Sequence, residues 1–426
     1  MSILNQRYSL FVLGTFLPKV ADKVYLVAMP WLIFELTESS FYMGLMFLVE
    51  TLPFILISPI SGVIADKFSY IKTLYFTLFI QFFGLVSIST LLVFSADIIW
   101  LLYVLSFLIC GAGASYWVVY NTTIPAIFKK EELVRANSLF QFSDTITIII
   151  GASIAGFLIT LIGIKPVFII ISACFLLTSL IIFFLSPFVK ERNKKVNQKN
   201  SRLKDDFFEG LKYVIKHKPL FWITIMALIG NIGNGVLVSM LVFFIRSELK
   251  LGVIELNYIY IAGGISQIIA LFLASYLFRK LESIKIMLFA QIICSFGILI
   301  IGLFSNIIYI IIGFAVQNAA VVLYNVTNRT FRQKIVPQEL LGRVNGFNQM
   351  LVRSAFPLSG FVAGIIVTYL SVSNLYVATA ILSFIVVIPF FITTFNKITD
   401  SEAQKMSHDI LNESFIYPEE YTNTTK

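Results

Sequence analysis

The chain has 426 residues, of which 58% are hydrophobic and 13% charged, against roughly 25% charged in soluble domains. This composition excludes a soluble globular fold and predicts a polytopic protein embedded in a lipid bilayer. Three cysteines lie singly inside apolar segments and the two histidines lie far apart, so we expect no disulfide framework, metal site or cofactor.

Apolar runs of helical length predict twelve membrane spans. The first run is too long for the core of a signal peptide and no small-residue cleavage site follows it, so we expect it to be retained. The runs lie at 9–34, 41–64, 73–94, 98–120, 138–162, 166–187, 219–245, 254–277, 286–304, 307–326, 343–369 and 372–395.

A polar segment after the sixth span divides the chain into two halves. The predicted fold class is all-α integral membrane, with twelve helices in two six-helix bundles. We predict an N-terminal bundle (1–187), a linker with a short amphipathic helix near 203–216 (188–218), a C-terminal bundle (219–395) and a polar, mobile tail (396–426).

Basic residues are concentrated in the loops on one side of the predicted membrane. By the positive-inside rule, both termini lie in the cytoplasm, so the net charge of +9 reflects topology and no nucleic-acid partner is expected. We expect a multi-pass protein of a bacterial plasma membrane that acts as a monomer. One set of loops holds Lys67, Lys72, Lys129, Lys130, Arg135, Arg279, Lys280, Lys285, Arg329, Arg332, Lys334 and Arg343, and the other Lys165, Arg246 and Lys250.

Two segments of the N-terminal half recur in the C-terminal half. The segment at 131–160, which begins EELVRANSLFQF, is echoed by the segment at 338–370, which begins QELLGRVNGFNQ. SGVIADKFSYIK (61–72) is echoed by ASYLFRKLESIK (274–285). Both echoes lie on the same side of the predicted membrane. The halves are therefore expected to repeat in parallel, related by an axis along the membrane normal.

Six plus six spans, a basic linker and the loop GVIADKFSYIK after span two resemble the major facilitator superfamily. Its loop signature, a glycine, an acidic residue four positions on and then basic residues, is matched by Gly62, Asp66, Lys67 and Lys72. Within the superfamily, the segments ADKVYLVAMPWLIFELTESS and RANSLFQF are most similar to the macrolide-efflux branch of drug:proton antiporters. The resemblance implies a twelve-helix fold and secondary active transport.

The resemblance also implies a cytoplasmic gate. In the superfamily the acidic residue of this loop lies near the start of span eleven, where free backbone N–H groups carry partial positive charge. Asp66 would hold the cytoplasmic side shut by this contact, and the alternative is an ordinary solvated loop acid. The other residues assigned to the gate are Gly62, Lys67, Lys72, Arg135 and Arg343.

Charged residues inside the predicted spans are the candidates for coupling. A charge at the bilayer centre costs about 2.5–3.5 kcal/mol, so each needs a partner, water or a function. Asp22 and Glu50 lie near the midpoints of antiparallel neighbours and are candidates for binding protons or substrate; alternatively, Lys19 and Asp22 form an ion pair that only stabilises packing. Asp144 alternatively belongs to a cytoplasmic gate, and Arg353 serves as a counter-charge or anion contact. The full set is Lys19, Asp22, Lys23, Glu50, Asp144 and Arg353.

These charged spans are expected to line a cavity that takes protons and a small-molecule substrate. We expect proton-coupled efflux of amphipathic drug-like or macrolide-like molecules by alternating access. The alternative is an exporter of an endogenous siderophore, peptide or lipid-like metabolite, anionic ones included. The sequence has no Walker loop for ATP, and no nucleophile with a base or metal motif for an enzyme. Further candidates for the cavity wall are Asn121, Asn231, Asn234, Gln267, Gln317, Asn318, Asn325 and Gln349.

Overall fold

The computed structural model describes residues 16–57, 61, 69–94, 99–127, 146–147, 150–151, 153–186, 203–392 and 397–414, and these are almost entirely helical. Several residues singled out from the sequence lie outside these ranges. Two others lie inside a described helix, but their side chains are not described. Outside lie Gly62, Asp66, Lys67, Lys129, Lys130, Arg135 and Asp144, and the side chains not described are those of Asn121 and Gln349.

The N-terminal half contributes six described helices. Helix α1 carries four charged residues, and α2 and α5 are shorter apolar helices. The six are α1 (Phe16–Thr37), α2 (Ser40–Leu56), α3 (Tyr70–Phe94), α4 (Ile99–Ile127), α5 (Ser153–Ile162) and α6 (Ile164–Leu185).

The C-terminal half contributes eight described helices, and α8 continues into a π-helical turn at Phe244–Glu248. Nine helices in the described part of the chain are long and apolar enough to cross a membrane. Each of the twelve predicted spans overlaps a described helix, so the all-α membrane fold is confirmed. The eight are α7 (Leu203–Lys216), α8 (Lys218–Phe243), α9 (Val253–Leu277), α10 (Ser283–Leu303), α11 (Ile307–Ile335), α12 (Gln338–Ile366), α13 (Val372–Ile392) and α14 (Asp400–Ser414).

Helices α3, α6, α10 and α13 present large apolar side chains outwards, and none of them carries a charge deep in its span. Phe83, Phe184, Phe296 and Ile385 are each about half exposed or more. Such surfaces suit hydrocarbon, which cannot satisfy charged or polar groups. These helices therefore support the bundles from outside, while α1, α2, α8 and α12 lie where the two halves meet.

The two halves pack tightly at the end of the bundle that carries the α1–α2 and α12–α13 connections, which we call the far end. A Cβ atom at Gly44 of α2 would lie 2.8 Å from the Cα of Gly364 in α12, so the helix backbones touch. The hydroxyl of Ser40 donates to the Gly364 carbonyl at 3.0 Å, and the rings of Phe47 and Phe356 lie 5.0 Å apart. Backbone contact leaves no room for a path between the halves here.

Two further contacts join the halves at the far end. The guanidinium of Arg246, in the π-helical turn after α8, lies 4.6 Å from the ring centre of Trp31 in α1. The side-chain amide of Asn257 in α9 donates to the carbonyl of Ser153 in α5 at 3.3 Å. The far end is thus closed by helices from both halves.

The opposite end, which carries α7 and α14, is called here the linker end. Helix α7 covers 203–216, the segment where the sequence predicts an amphipathic helix, and packs against α12. The Arg343 guanidinium pairs with Glu209 of α7 at 2.6 Å. A Cβ at Gly210 would lie 2.5 Å from the Arg343 carbonyl oxygen, so only glycine allows this approach.

The prediction of a mobile tail is wrong for residues 400–414, which form helix α14 and dock on the C-terminal half. Asp400 accepts hydrogen bonds from the backbone N–H and hydroxyl of Ser283, at 3.2 and 2.8 Å, and pairs with Lys334. The buried His217 ring contacts the carbonyl of Ala403 at 2.9 Å through Nε2. Burial lowers the pKa of His217, since it disfavours the charged imidazolium. These are polar contacts between residues distant in sequence, and they leave no apolar pattern in the sequence. The helix was therefore not predicted.

Candidate functional site

A cavity of about 540 Å³ lies between the two halves, on the linker side of the far-end contacts. Helices α1, α2 and α4 form one wall, and α8, α9 and α12 form the other. We call it the central cavity. Its lining residues are Asp22, Lys23, Tyr25, Leu26, Val27, Pro30, Met43, Phe47, Glu50, Thr51, Phe54, Ile55, Ile109, Cys110, Gly113, Asn231, Val238, Ser239, Val242, Tyr260, Arg353, Phe356 and Pro357.

Asp22 and Lys23 face this cavity from the middle of α1. The Lys23 stem packs on Gly151, where an added Cβ atom would overlap the Cβ of the lysine. Lys19, one turn earlier, donates from Nζ to the Tyr120 hydroxyl at 2.7 Å and lies over that ring. The ion pair considered between Lys19 and Asp22 is not among those of the described residues. These pairs join Lys334 to Asp400 and Arg343 to Glu209.

Glu50 lies on α2 in the wall of the central cavity and is only 3% exposed. Its Oε1 atom has no hydrogen-bond partner among the described residues, and neither does the buried hydroxyl of Tyr25. Leaving a buried polar atom unsatisfied costs about 1–3 kcal/mol, and more when the group is charged. Glu50 is therefore a position that packing alone does not explain.

Arg353 reaches the central cavity from α12. Its guanidinium carbon lies 5.8 Å from the ring centre of Trp117 in α4, so it touches both halves. The structure thus brings Asp22, Lys23, Glu50 and Arg353 to one cavity, while Lys19 contacts Tyr120 beside it.

A second cavity, of about 230 Å³, lies inside the C-terminal half between α8, α10, α11 and α12. We call it the polar cavity. Asn231 and Arg353 line both cavities, so the two adjoin. Its lining residues are Ala227, Gly230, Asn231, Asn234, Gln291, Cys294, Ala320, Val321, Tyr324, Asn325, Asn328, Arg329, Arg332, Asn348, Val352 and Arg353.

The amide residues predicted for the cavity wall fall into two groups. Asn231, Asn234 and Asn325 line the polar cavity. Three others bond side by side: Gln267 donates to Asn318 at 2.9 Å, Asn318 to Gln317 at 2.9 Å, and Gln317 to Asn234 at 2.9 Å. This chain of amides ties α9, α11 and α8 together behind the polar cavity.

Two residues of the predicted gate motif lie in the described part of the chain. The backbone N–H of Lys72 donates to the Ser69 hydroxyl at 3.3 Å at the start of α3, and the Lys72 side chain is exposed. Arg343 pairs with Glu209 of α7. The contact expected for Asp66 lies outside the described residues.

The sequence reading missed the arginines of α11. Arg329 and Arg332 counted there only as basic loop residues after a span ending at 326, but α11 continues to Ile335 and carries both into the polar cavity. Their spacing held a signal. Asn325, Asn328 or Arg329, and Arg332 recur every three or four residues, which places them on one helix face.

Comparison with known proteins gives a family and a fold. The family model described as Major Facilitator Superfamily matches residues 11–360. The uncharacterised MFS-type transporter YkuC of Bacillus subtilis (strain 168) is 24% identical over 361 residues, covering 82% of this chain and 83% of its own length. YfiS of the same organism, also an uncharacterised MFS-type transporter, is 27% identical over 187 residues, 44% of this chain and 43% of its own length.

Solved structures share the fold at low sequence identity. A bacterial homologue of the iron transporter ferroportin in an inward-facing state superimposes with a TM-score of 0.69 at 16% identity, covering 92% of this chain and 99% of that one. The nucleoside transporter NupG gives 0.71 at 15% identity, covering 92% and 99%. The chain belongs to the Major Facilitator Superfamily and is a multi-pass secondary transporter, not an enzyme.

Proposed function

We propose that this transporter exports amphipathic small molecules in exchange for protons, as its resemblance to the macrolide-efflux branch implies, from the cytoplasm of a bacterium whose plasma membrane it spans with both termini inside. The observation that carries the proposal is Glu50, a buried carboxyl group without a partner for Oε1 in the wall of the central cavity. Substrate and proton would meet at this cavity.

The size and lining of the central cavity suit an amphipathic molecule. Its volume of about 540 Å³ falls within the roughly 300–1,000 Å³ of small-molecule sites, which combine apolar walls with few polar groups. Phe47, Phe54, Phe356 and Met43 supply apolar surface, while the charged residues of the lining are Asp22, Lys23, Glu50 and Arg353. Apolar walls favour burial of hydrophobic surface of many shapes.

Glu50 is our choice for the proton-binding group. Burial without an ion-pair partner disfavours the ionised form of a carboxyl group, which makes Glu50 the candidate for carrying the proton. In such an exchange Glu50 would take up a proton when the cavity opens to the outside and substrate leaves, and would release it to the cytoplasm when the cavity opens inwards and substrate binds. Asp22, which faces the same cavity beside Lys23, is the second carboxylate that substrate or proton can meet.

Alternating access follows from where the halves touch. The contacts of Gly44 with Gly364 and of Arg246 with Trp31 close the far end. Rocking of one bundle against the other must break these contacts to release substrate there. With both termini in the cytoplasm, the described state corresponds to a transporter closed towards the outside.

Inverted membrane vesicles test this proposal. We expect the wild-type protein to move an amphipathic dye or a macrolide when a pH gradient is imposed, and Glu50→Gln to lose that gradient-driven movement by at least tenfold while downhill exchange persists. Glu255→Gln is the matched control, because glutamine can keep the cap that Glu255 forms on the Gly252 N–H. Equal gradient dependence in the Glu50→Gln and wild-type proteins would overturn the assignment of Glu50.

A second candidate function is export of an endogenous metabolite with an anionic group. The observation that favours it is the set of arginines in the polar cavity, Arg329, Arg332 and Arg353. The solved nucleoside and metal transporters share the fold at 16% identity or less, which supports the fold and not a substrate. The same vesicle assay, run with anionic and neutral dyes, separates the two candidates.

A further inference from the structure

The polar cavity is positively charged. Arg329, Arg332 and Arg353 line it together with side-chain amides, and no aspartate or glutamate stands among its described lining residues. Arg329 and Arg332 lie three residues apart on one face of α11, and Arg353 belongs to α12. Arg329 and Arg353 are exposed, so water can reach their charges, whereas Arg332 is buried.

Arg332 is the least satisfied of these groups. It is 6% exposed, and its Nε and Nη1 atoms have no hydrogen-bond partner among the described residues. Beside it in the lining, Asn328 is also 6% exposed with an unpartnered Oδ1. Leaving a buried charge unpaired is strongly destabilising, so a native chain keeps such a group where a partner arrives.

The positive-inside rule does not explain why Arg332 is buried. A basic residue that only marks the cytoplasmic side should reach water or the last carbonyls of its helix. Lys334, two residues further along α11, does so: its side chain is 50% exposed and pairs with Asp400 at 2.7 Å. Arg332 is instead turned into the bundle, against the polar cavity.

Resting on the transport function proposed above, we propose that the polar cavity binds the anionic head group, a carboxylate or phosphate, of an amphipathic substrate whose apolar body lies in the central cavity. Arg332 is the deep contact, with Arg329 and Arg353 beside it. The planar fork of arginine donors matches the oxygens of both anions. Asn231 and Arg353 stand where the two cavities adjoin, so one ligand can occupy both.

The volumes agree with this division. About 230 Å³ is smaller than a typical small-molecule site but accommodates a head group, while about 540 Å³ accommodates the apolar remainder. The charge pattern agrees as well, since three arginines and six side-chain amides line the smaller cavity, whereas apolar side chains make up most of the lining of the larger one.

A matched pair of fluorescent probes tests the proposal: 11-(dansylamino)undecanoic acid and its methyl ester, which differ in charge and little else. Binding to the full-length protein in phosphatidylcholine nanodiscs is read by energy transfer from tryptophan, and Trp117 lies beside Arg353. We expect the acid to bind tighter than the ester, and Arg332→Gln to weaken the acid by about tenfold or more while leaving the ester unchanged. Arg332→Lys should restore part of the loss, since it returns the charge without the fork.

Arg279→Gln is the control, because Arg279 is an exposed arginine of the same half outside both cavities. It should leave the binding of both probes unchanged. If Arg332→Gln weakened acid and ester alike, or neither, the proposal would be overturned. A thermal unfolding midpoint that fell together with equal loss of both probes would assign Arg332 a structural role instead.

A second arm distinguishes free cargo from a membrane lipid as the source of the anion. Phosphatidylglycerol added to the nanodiscs should displace the acid from the wild-type protein if a lipid head group occupies the cavity, and should leave it bound if a free molecule does; either result supports an anion site. The binding assay uses no pH gradient. Failure of proton coupling in the vesicle assay and failure of anion binding here are therefore distinguishable.

Discussion

Glu50 in the N-terminal half and Arg332 in the C-terminal half present the same problem with opposite charge. Each is at most 6% exposed, and each has at least one buried side-chain atom without a hydrogen-bond partner among the described residues. Their surroundings differ. Glu50 faces a large cavity with mostly apolar walls, whereas Arg332 faces a small one with amides and two more arginines.

The difference indicates what each residue lacks. A carboxylate among apolar side chains is neutralised by the smallest partner available, a proton. A guanidinium cannot release its proton in a protein, so its neutrality must come from an anion that fills the space beside it. This difference is why we propose Glu50 as a proton site and Arg332 as part of a substrate site. Asn231 and Arg353 line both cavities.

The largest expected effect is on proton coupling, and it tests the role proposed for Glu50. Glu50→Gln should abolish proton flux coupled to substrate, while Asp22→Asn should weaken transport but retain coupling, because Asp22 is partly exposed to the cavity beside Lys23 and is not buried like Glu50. Substrate-dependent pH change inside proteoliposomes measures both. Coupling lost in Asp22→Asn and kept in Glu50→Gln would exchange the two roles.

The next effect is a change in the free energy of unfolding when Arg332 is replaced. Arg332→Met should raise the free energy of unfolding by about 1–3 kcal/mol, because it replaces a buried, unpaired charge with an apolar side chain of similar length. Glu50→Met should raise it less, since a protonated carboxyl group is already neutral. Unfolding midpoints in detergent, at neutral pH and without ligand, check this ranking. A midpoint lowered by Arg332→Met would show that the arginine has a partner in the native protein.

His217 is a buried titratable group with hydrogen bonds on both ring nitrogens, and it serves as the reference for Glu50 and Arg332. The pKa of His217 is lowered by burial, so below its usual value of about 6.5 the unfolded chain binds a proton that the folded chain refuses. Stability from this site is therefore full above that pH and falls as the pH drops. The unfolding midpoint should decline more steeply with acidification in the wild-type protein than in His217→Gln, whose amide can keep both hydrogen bonds to Leu220 and Ala403. Parallel pH profiles would contradict it.

The smallest effect belongs to the exposed neighbour of Arg332. Lys334→Gln removes an ion pair with Asp400 in which the lysine side chain is 50% exposed, and such pairs contribute about 0–1 kcal/mol. We expect a midpoint shift near the detection limit and unchanged binding of the acid probe. Probe binding weakened as much as in Arg332→Gln would mean that net charge at this end of the bundle, and not the cavity, attracts the anion.

Much of the fold could be predicted from the sequence because the bilayer imposes length and apolarity on every span. The twelve runs, the all-α class and the superfamily followed from that constraint and from the motif around Asp66. Helix α14 escaped prediction, since its docking depends on polar contacts of Asp400 and His217 with distant residues. The macrolide-like substrate, the proton coupling and the orientation of the termini stay predictions.

The candidate site, like the fold, was predictable from the sequence only in part. The sequence by itself determined that Asp22, Glu50 and Arg353 lie deep in spans, because a charge in an apolar run is conspicuous. Only the tertiary structure decided that Glu50 is buried without a partner for Oε1, that Lys19 contacts Tyr120, and that Arg332 turns inward where Lys334 turns outward. The physical reason is that hydropathy reports the surroundings of a whole helix, whereas the partner of a single charge is set by which helices pack around it.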